Sequence, residues 1–115
     1  MYHYNDTYMN KIKMIRLEEA IQEIKLEIAA IEEMRPGSLS KQMRRSKGKY
    51  GAYWHLSYTL QGKGHTKYIR EQHVSQVKRE VGAFKRFKRL IERLITLSIR
   101  RSELKMEIQE QGASN

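Results

Sequence analysis

The sequence contains no cysteine, a single proline and a single aspartate. The absence of cysteine excludes disulfides, thiolate metal sites and cysteine nucleophiles. No run of about 18 apolar residues occurs, so we expect no membrane-spanning helix. The first residues lack the apolar stretch of a secretory signal, which predicts a cytoplasmic protein. The chain therefore depends on a non-covalent core and acts away from the membrane.

Acidic residues are absent from residues 34–70, a segment that contains nine basic ones. The whole chain of 115 residues has 23 Lys and Arg against 13 Asp and Glu, a formal net charge of +10. A field of that sign attracts polyanions and weakens as salt is added. We therefore predict a nucleic-acid partner, DNA or RNA. A basic surface that merely keeps the protein soluble is the alternative explanation of the same charge.

The first part of the chain has an apolar residue at every third or fourth position. The pattern consists of Met14, Leu17, Ile21, Ile24, Ile28 and Ile31. This spacing is typical of a helix with one apolar stripe. We predict a helix over residues 7–34, capped by Asn5 or Asp6 and ended by Pro36-Gly37.

The middle of the chain divides into a polar and an aromatic segment. Residues 35–52, rich in glycine, serine and basic side chains, predict a basic loop. Residues 53–70 are rich in aromatic residues around a glycine-containing turn, and they predict a β-hairpin. A turn centred on Gly62-Lys63 would place Leu56 opposite Ile69.

A second helical pattern covers residues 71–109, followed by a frayed tail over residues 110–115. The predicted fold class is mostly α (α+β). It is a single domain, in which an antiparallel helical pair carries the hairpin at its tip. Two helices alone leave apolar side chains such as Ile99 uncovered. We therefore expect a homo-oligomer, a homodimer joined through coiled-coil or four-helix packing, with a monomer as the alternative.

Candidate binding residues combine cations, which contact phosphates, with aromatic rings, on which bases stack. The predicted loop supplies Lys41, Arg44, Arg45, Lys47 and Lys49. The hairpin supplies Tyr53, His55, Lys63, Lys67, Tyr68 and Arg70. One face of the second helix supplies Lys78, Arg86, Arg89 and Arg93, although solvated helix faces are often charged in this way. Trp54 is expected to pack the hairpin against the helices.

Motifs for catalysis and metal binding are missing. The four histidines form no HxH or HExxH pattern, and the basic middle segment has no carboxylate. We expect no enzymatic activity, no metal and no cofactor. The alternative function is a non-catalytic assembly or adaptor protein that binds an acidic protein partner through its helices and basic surface.

Three short motifs follow one another in the middle of the chain. They are Arg35-Pro36-Gly37-Ser38-Leu39-Ser40-Lys41-Gln42, then Gly51-Ala52-Tyr53-Trp54-His55-Leu56-Ser57-Tyr58, then Gly62-Lys63 before a basic helix. Over about residues 34–100 the chain resembles an uncharacterised family of small prokaryotic domains with the pattern PGSLSKQ, YYxLSY and GK. Many members of that family have a cysteine cluster between the first two motifs, which suggests metal. This chain has no cysteine there, and the resemblance implies no activity for it.

Overall fold

The computed structural model describes residues 2–43 and 52–113, and it describes side chains for residues 7–43 and 53–112. The elements in these ranges are α1 (Tyr2–Ala29), β1 (Ser38–Met43), β2 (Ala52–Leu60), β3 (Lys63–Ile69), a 3₁₀ turn (Glu71–His73) and α2 (Val74–Ala113). The α+β class is therefore confirmed. In the described part of the chain, no helix has a stretch apolar enough to cross a membrane.

The chain forms two compact units. The first, here called the helical unit, consists of α1 together with α2 from Lys88 onward. The second, here called the sheet unit, spans Ile31–Phe87 and contains the three strands and the first part of α2.

The two helices of the helical unit run antiparallel. Asn10 Nδ2, near the start of α1, donates to Gln111 Oε1 at 3.2 Å, near the end of α2. Arg101 also pairs with Glu18 at 3.1 Å, but both side chains are about half exposed, so the pair adds little stability. Apolar burial holds the helices together instead. The core consists of Ile21, Ile24 and Leu97, packed by Leu17, Ala20, Ile28, Leu90 and Leu94.

Both helices have ends that differ from the prediction. Helix α1 begins at Tyr2, so Asn5 and Asp6 lie within it, because these residues are only mildly unfavourable inside a helix. It ends at Ala29, before Pro36, and the backbone N–H of Arg35 instead donates to the carbonyl of Glu80 at 3.1 Å. Helix α2 continues to Ala113 where a frayed tail was predicted.

The prediction of a loop over residues 35–52 was wrong in its first half, where the chain forms strand β1. Strand β1 pairs antiparallel with β2, and the sheet order is β1-β2-β3. Leu39 is the residue of β1 that packs against the core of the sheet unit, whereas Lys41 and Met43 on the same face are exposed. The hairpin therefore belongs to a three-stranded sheet.

The hairpin is confirmed, but its register differs from the prediction. The turn consists of Gln61 and Gly62, with φ of 52° and 78°, as in the two-residue turns that suit the twist of a hairpin. Leu56 therefore lies opposite Lys67, and Trp54 opposite Ile69. The displacement is an even number of residues, so each side chain keeps its predicted face while its cross-strand partner changes.

The core of the sheet unit lies between one face of the sheet and the first part of α2. Leu56 is 0% exposed and packs with Val77 and Val81 of α2. Leu39, Tyr58 and Ile69 surround this group, so each strand contributes to it. The sheet and the start of α2 are thereby joined through apolar contact.

Gly37 explains the Pro-Gly-Ser motif that precedes β1. Its φ is +133°, a backbone conformation that residues other than glycine rarely adopt. A Cβ atom at this position would lie 2.8 Å from the carbonyl oxygen of Ser57 and 2.9 Å from Leu56 Cδ1. The backbone before β1 can approach β2 this closely because residue 37 has no side chain.

Replacing Gly37 by alanine is expected to lower the free energy of unfolding by about 2 to 4 kcal/mol, through backbone strain and the clash with β2. Gly82→Ala is the matched control. Gly82 is exposed on α2, and a Cβ atom at this position would have no atom within 4 Å. This replacement should raise stability by about 1 kcal/mol. Urea unfolding followed by circular dichroism measures both, and equal effects would contradict the role assigned to Gly37.

Candidate nucleic-acid interface

The sheet presents two chemically different faces, which follow from its register. One face, here called the packed face, contains Leu39, Lys41, Met43, Trp54, Leu56, Tyr58, Leu60, Lys63, His65, Lys67 and Ile69. The other, here called the open face, contains Ser38, Ser40, Gln42, Tyr53, His55, Ser57, Thr59, Gly64, Thr66 and Tyr68. All sheet residues of the core cluster come from the packed face, so the open face lies on the side away from α2.

Trp54 is held at the edge of the packed face by three side chains. Its Nε1 donates to Glu71 Oε2 at 2.6 Å. The Nζ atoms of Lys41 and Lys78 lie 5.6 Å and 5.1 Å from the centre of its ring, within the range of cation–π attraction. Trp54 is thus engaged within the unit through a hydrogen bond and cation–π contacts, whereas the apolar core beneath the sheet consists of other residues. Both lysines remain exposed to solvent.

An aromatic cluster occupies the open face. The rings of Tyr53 and Tyr68 are 5.5 Å apart at 55°, and those of Tyr53 and His55 are 6.3 Å apart at 40°. Ser40 Oγ lies 3.3 Å from His55 Nε2, within hydrogen-bond distance. Tyr68 is 72% exposed. These residues come from all three strands.

The structure separates cations that the sequence places beside these rings. Lys41, Lys63 and Lys67 lie on the packed face, because side chains alternate along a strand and neighbours in sequence point to opposite sides. Arg70 directly follows β3 in an extended conformation, with φ of −68° and ψ of 145°. It stands two residues after Tyr68 and is exposed to solvent. Arg70 is therefore close in sequence to the aromatic cluster, at the end of β3.

The remaining predicted cations lie in the loop and on α2. Arg44, Arg45, Lys47 and Lys49 are outside the described residues. Lys78 and Arg86 are exposed in the sheet unit, and Arg89 and Arg93 are exposed in the helical unit. Arg86 makes a further interaction within the protein. Arg89 and Arg93 form no ion pair with any carboxylate among the described residues.

The structure adds three residues to the candidate site that the sequence did not indicate. They lie beside the rings on the open face and are Ser40, Gln42 and Thr66. The first two lie on β1, whose sequence SLSKQM has no strong strand pattern that could have identified them. The described residues contain no group of three or more His, Asp or Glu side chains that could hold a metal ion.

A family profile described as a domain of unknown function, DUF6788, matches residues 14–79, more than half of the chain. The chain belongs to the DUF6788 family. This agrees with the resemblance to an uncharacterised family of small domains, although the matched range begins and ends earlier than the resemblance predicts. Neither a curated protein nor a solved structure matches the chain.

The DUF6788 match contains all three strands and the start of α2. The aromatic cluster, Arg70 and the two lysines at Trp54 therefore lie within the family domain. Arg86, Arg89 and Arg93 lie beyond it.

Proposed function

We propose that the chain is a non-catalytic nucleic-acid-binding accessory protein that holds phosphates with exposed cations of the sheet unit and of α2. The observation that carries this proposal is that three of these cations have no carboxylate partner among the described residues. Lys63, Lys67 and Arg70 are exposed, and none forms an ion pair with a carboxylate of the described residues.

Glutamates are few in the sheet unit. Residues 31–87 contain 13 Lys and Arg but four glutamates, of which Glu71 and Glu80 accept hydrogen bonds from Trp54 and Gln76. The formal charge of this unit is therefore +9, which its own glutamates cannot neutralise. Phosphate groups satisfy such a surface, and each contact releases condensed counterions from the nucleic acid.

Steep salt dependence is the expected signature of this mechanism. If about four phosphates are contacted, affinity should fall about a hundredfold between about 50 and 200 mM salt. Fluorescence anisotropy with labelled DNA and RNA measures this slope. An affinity that hardly changes over this range would refute phosphate binding.

A protein ligand is the competing function, and two loop residues separate it from nucleic acid. The variant Arg44→Glu/Arg45→Glu changes charges that lie outside the described residues. Mobility-shift assays should show weaker nucleic-acid binding than for the wild type. Absence of any nucleic-acid complex at low salt would instead favour an adaptor that binds an acidic protein.

We also propose that the molecule is a homodimer that covers a second apolar stripe on α2. Ile95 and Ile99 are each 53% exposed and Met106 is 50% exposed. With Ser102 between them, these positions recur every three or four residues, a spacing that packs well against a like helix. They line a shallow groove that nothing in the described helical unit covers. A second copy presents the same stripe and can bury both.

The variant Ile95→Glu/Ile99→Glu is expected to be monomeric, because it places four carboxylates in the proposed dimer interface. Light scattering after gel filtration gives the mass in solution. Ile15→Glu is the matched control, since Ile15 is 55% exposed on α1 and should leave the dimer intact. A wild type that is monomeric at all concentrations tested would refute the dimer and leave nucleic-acid binding open.

A further inference from the structure

We propose that the open face of the sheet binds unpaired nucleotides, whose bases stack on Tyr53 and Tyr68. This inference rests on the proposed nucleic-acid-binding function and adds to it the strandedness of the ligand and the surface that selects it.

The composition of the open face first indicates a planar ligand. Its ten residues include no aliphatic side chain, and its only large groups are Tyr53, His55 and Tyr68. The remaining residues are serine, threonine, glutamine and glycine. A second protein domain normally packs on a sheet through aliphatic side chains, whereas rings between small polar residues suit flat, polar-edged bases.

The exposure of the rings is the second step. Tyr68 is 72% exposed although its neighbour Ile69 is half buried on the packed face. The ring of Tyr68 contacts that of Tyr53 but contributes nothing to the apolar core. Exposed rings of this kind on a sheet serve RNA and single-stranded DNA domains as stacking surfaces.

Charge complementarity is the third step. None of the ten residues of the open face is acidic, and the exposed Arg70 follows β3 directly, two residues after Tyr68. A nucleotide stacked on Tyr68 would have its phosphate within the field of this arginine. The hydroxyls of Ser40 and Thr66 can donate to, or accept from, the polar edges of the base.

The geometry of nucleic acids then selects the unpaired form. In a duplex the flat faces of the bases are stacked on one another and the edges alone reach the grooves. Rings that lie on a sheet can stack with a base only after it has left the duplex. The open face therefore favours single strands, whereas the cations alone would not distinguish strandedness in this way.

The test compares binding of labelled oligo(dT), oligo(U) and a mixed-sequence DNA duplex by fluorescence anisotropy. The wild type should bind the single strands at least about tenfold more tightly than the duplex. Tyr68→Ala should weaken single-strand binding about tenfold or more, given the usual contribution of one stacked base, and change duplex binding less than twofold. The two single strands distinguish DNA from RNA as the source of the bases.

Two controls keep the test specific. Tyr68→Phe keeps the ring and should retain single-strand affinity. Tyr8→Ala removes a tyrosine that is 61% exposed on α1 and should bind as the wild type does. Circular dichroism melts of each variant establish that the fold is intact.

Two results would overturn the inference. A folded Tyr68→Ala variant with undiminished single-strand affinity would refute stacking, while salt-dependent binding in the same experiment would leave the phosphate mechanism standing. Equal or tighter wild-type binding to the duplex would also refute it. If the wild type bound none of the three probes at low salt, the proposed function itself would be refuted.

Discussion

Replacement of Leu56 by alanine is expected to lower the free energy of unfolding by about 3 kcal/mol. Leu56 is the side chain of the sheet unit that is 0% exposed, and it packs on Val77 and Val81 of α2. Alanine would remove apolar contacts and leave a cavity, because the neighbouring strands are held by their hydrogen bonds and collapse only partly. Urea unfolding monitored by circular dichroism measures the loss.

Leu60→Ala is the control for this substitution. Leu60 lies on the same strand and the same face but is 54% exposed, so its replacement should cost less than about 1 kcal/mol. If both variants lost the same stability, the core assigned to the sheet unit would be wrong.

Reversal of the charges on β3, in the variant Lys63→Glu/Lys67→Glu, is expected to weaken nucleic-acid binding about a hundredfold at low salt. Each substitution removes one phosphate contact and introduces repulsion, and two such contacts also reduce the salt slope by about two. Both lysines are exposed on an edge strand, so their replacement should leave the core intact. Anisotropy titrations at several salt concentrations measure both quantities.

Lys11→Glu/Lys105→Glu is the charge-matched control for β3. It changes the net charge by the same amount, but both positions are exposed on the helices of the helical unit. Its affinity should fall much less than that of the β3 variant. Equal losses would show that net charge, and not the sheet unit, determines binding.

Elements with strong periodicity were predictable from the sequence. The apolar residues of both helices and the aromatic residues of the hairpin identified α1, α2, β2 and β3. Strand β1 was not predictable in this way, because SLSKQM has one half-buried aliphatic residue and is preceded by proline and glycine, so it has the composition of a loop. Its strand conformation depends on pairing with β2, a contact between distant residues.

The side of the sheet on which each hairpin residue lies was predictable, but the neighbours of the candidate site were not. The predicted register differs by two residues from the structure, so it already places Tyr53 and Tyr68 on the side away from Leu56. The pairing of β1 with β2, which brings Ser40 and Gln42 beside these rings, was not predictable, because β1 has the composition of a loop. The sequence also could not give the partners of Trp54, because Lys41, Glu71 and Lys78 reach it from three different elements.

The sheet order has a consequence for self-association. Strand β3 is one of the two edge strands, so one row of its backbone N–H and C=O groups has no strand partner in the described sheet. Such a row can recruit a strand from another molecule, and charged side chains are a common protection against this. Lys63 and Lys67 repel their counterparts on a neighbouring copy. The same two charges that we expect to attract phosphate therefore also hinder aggregation through the sheet, a protection that glutamate would preserve and alanine would remove.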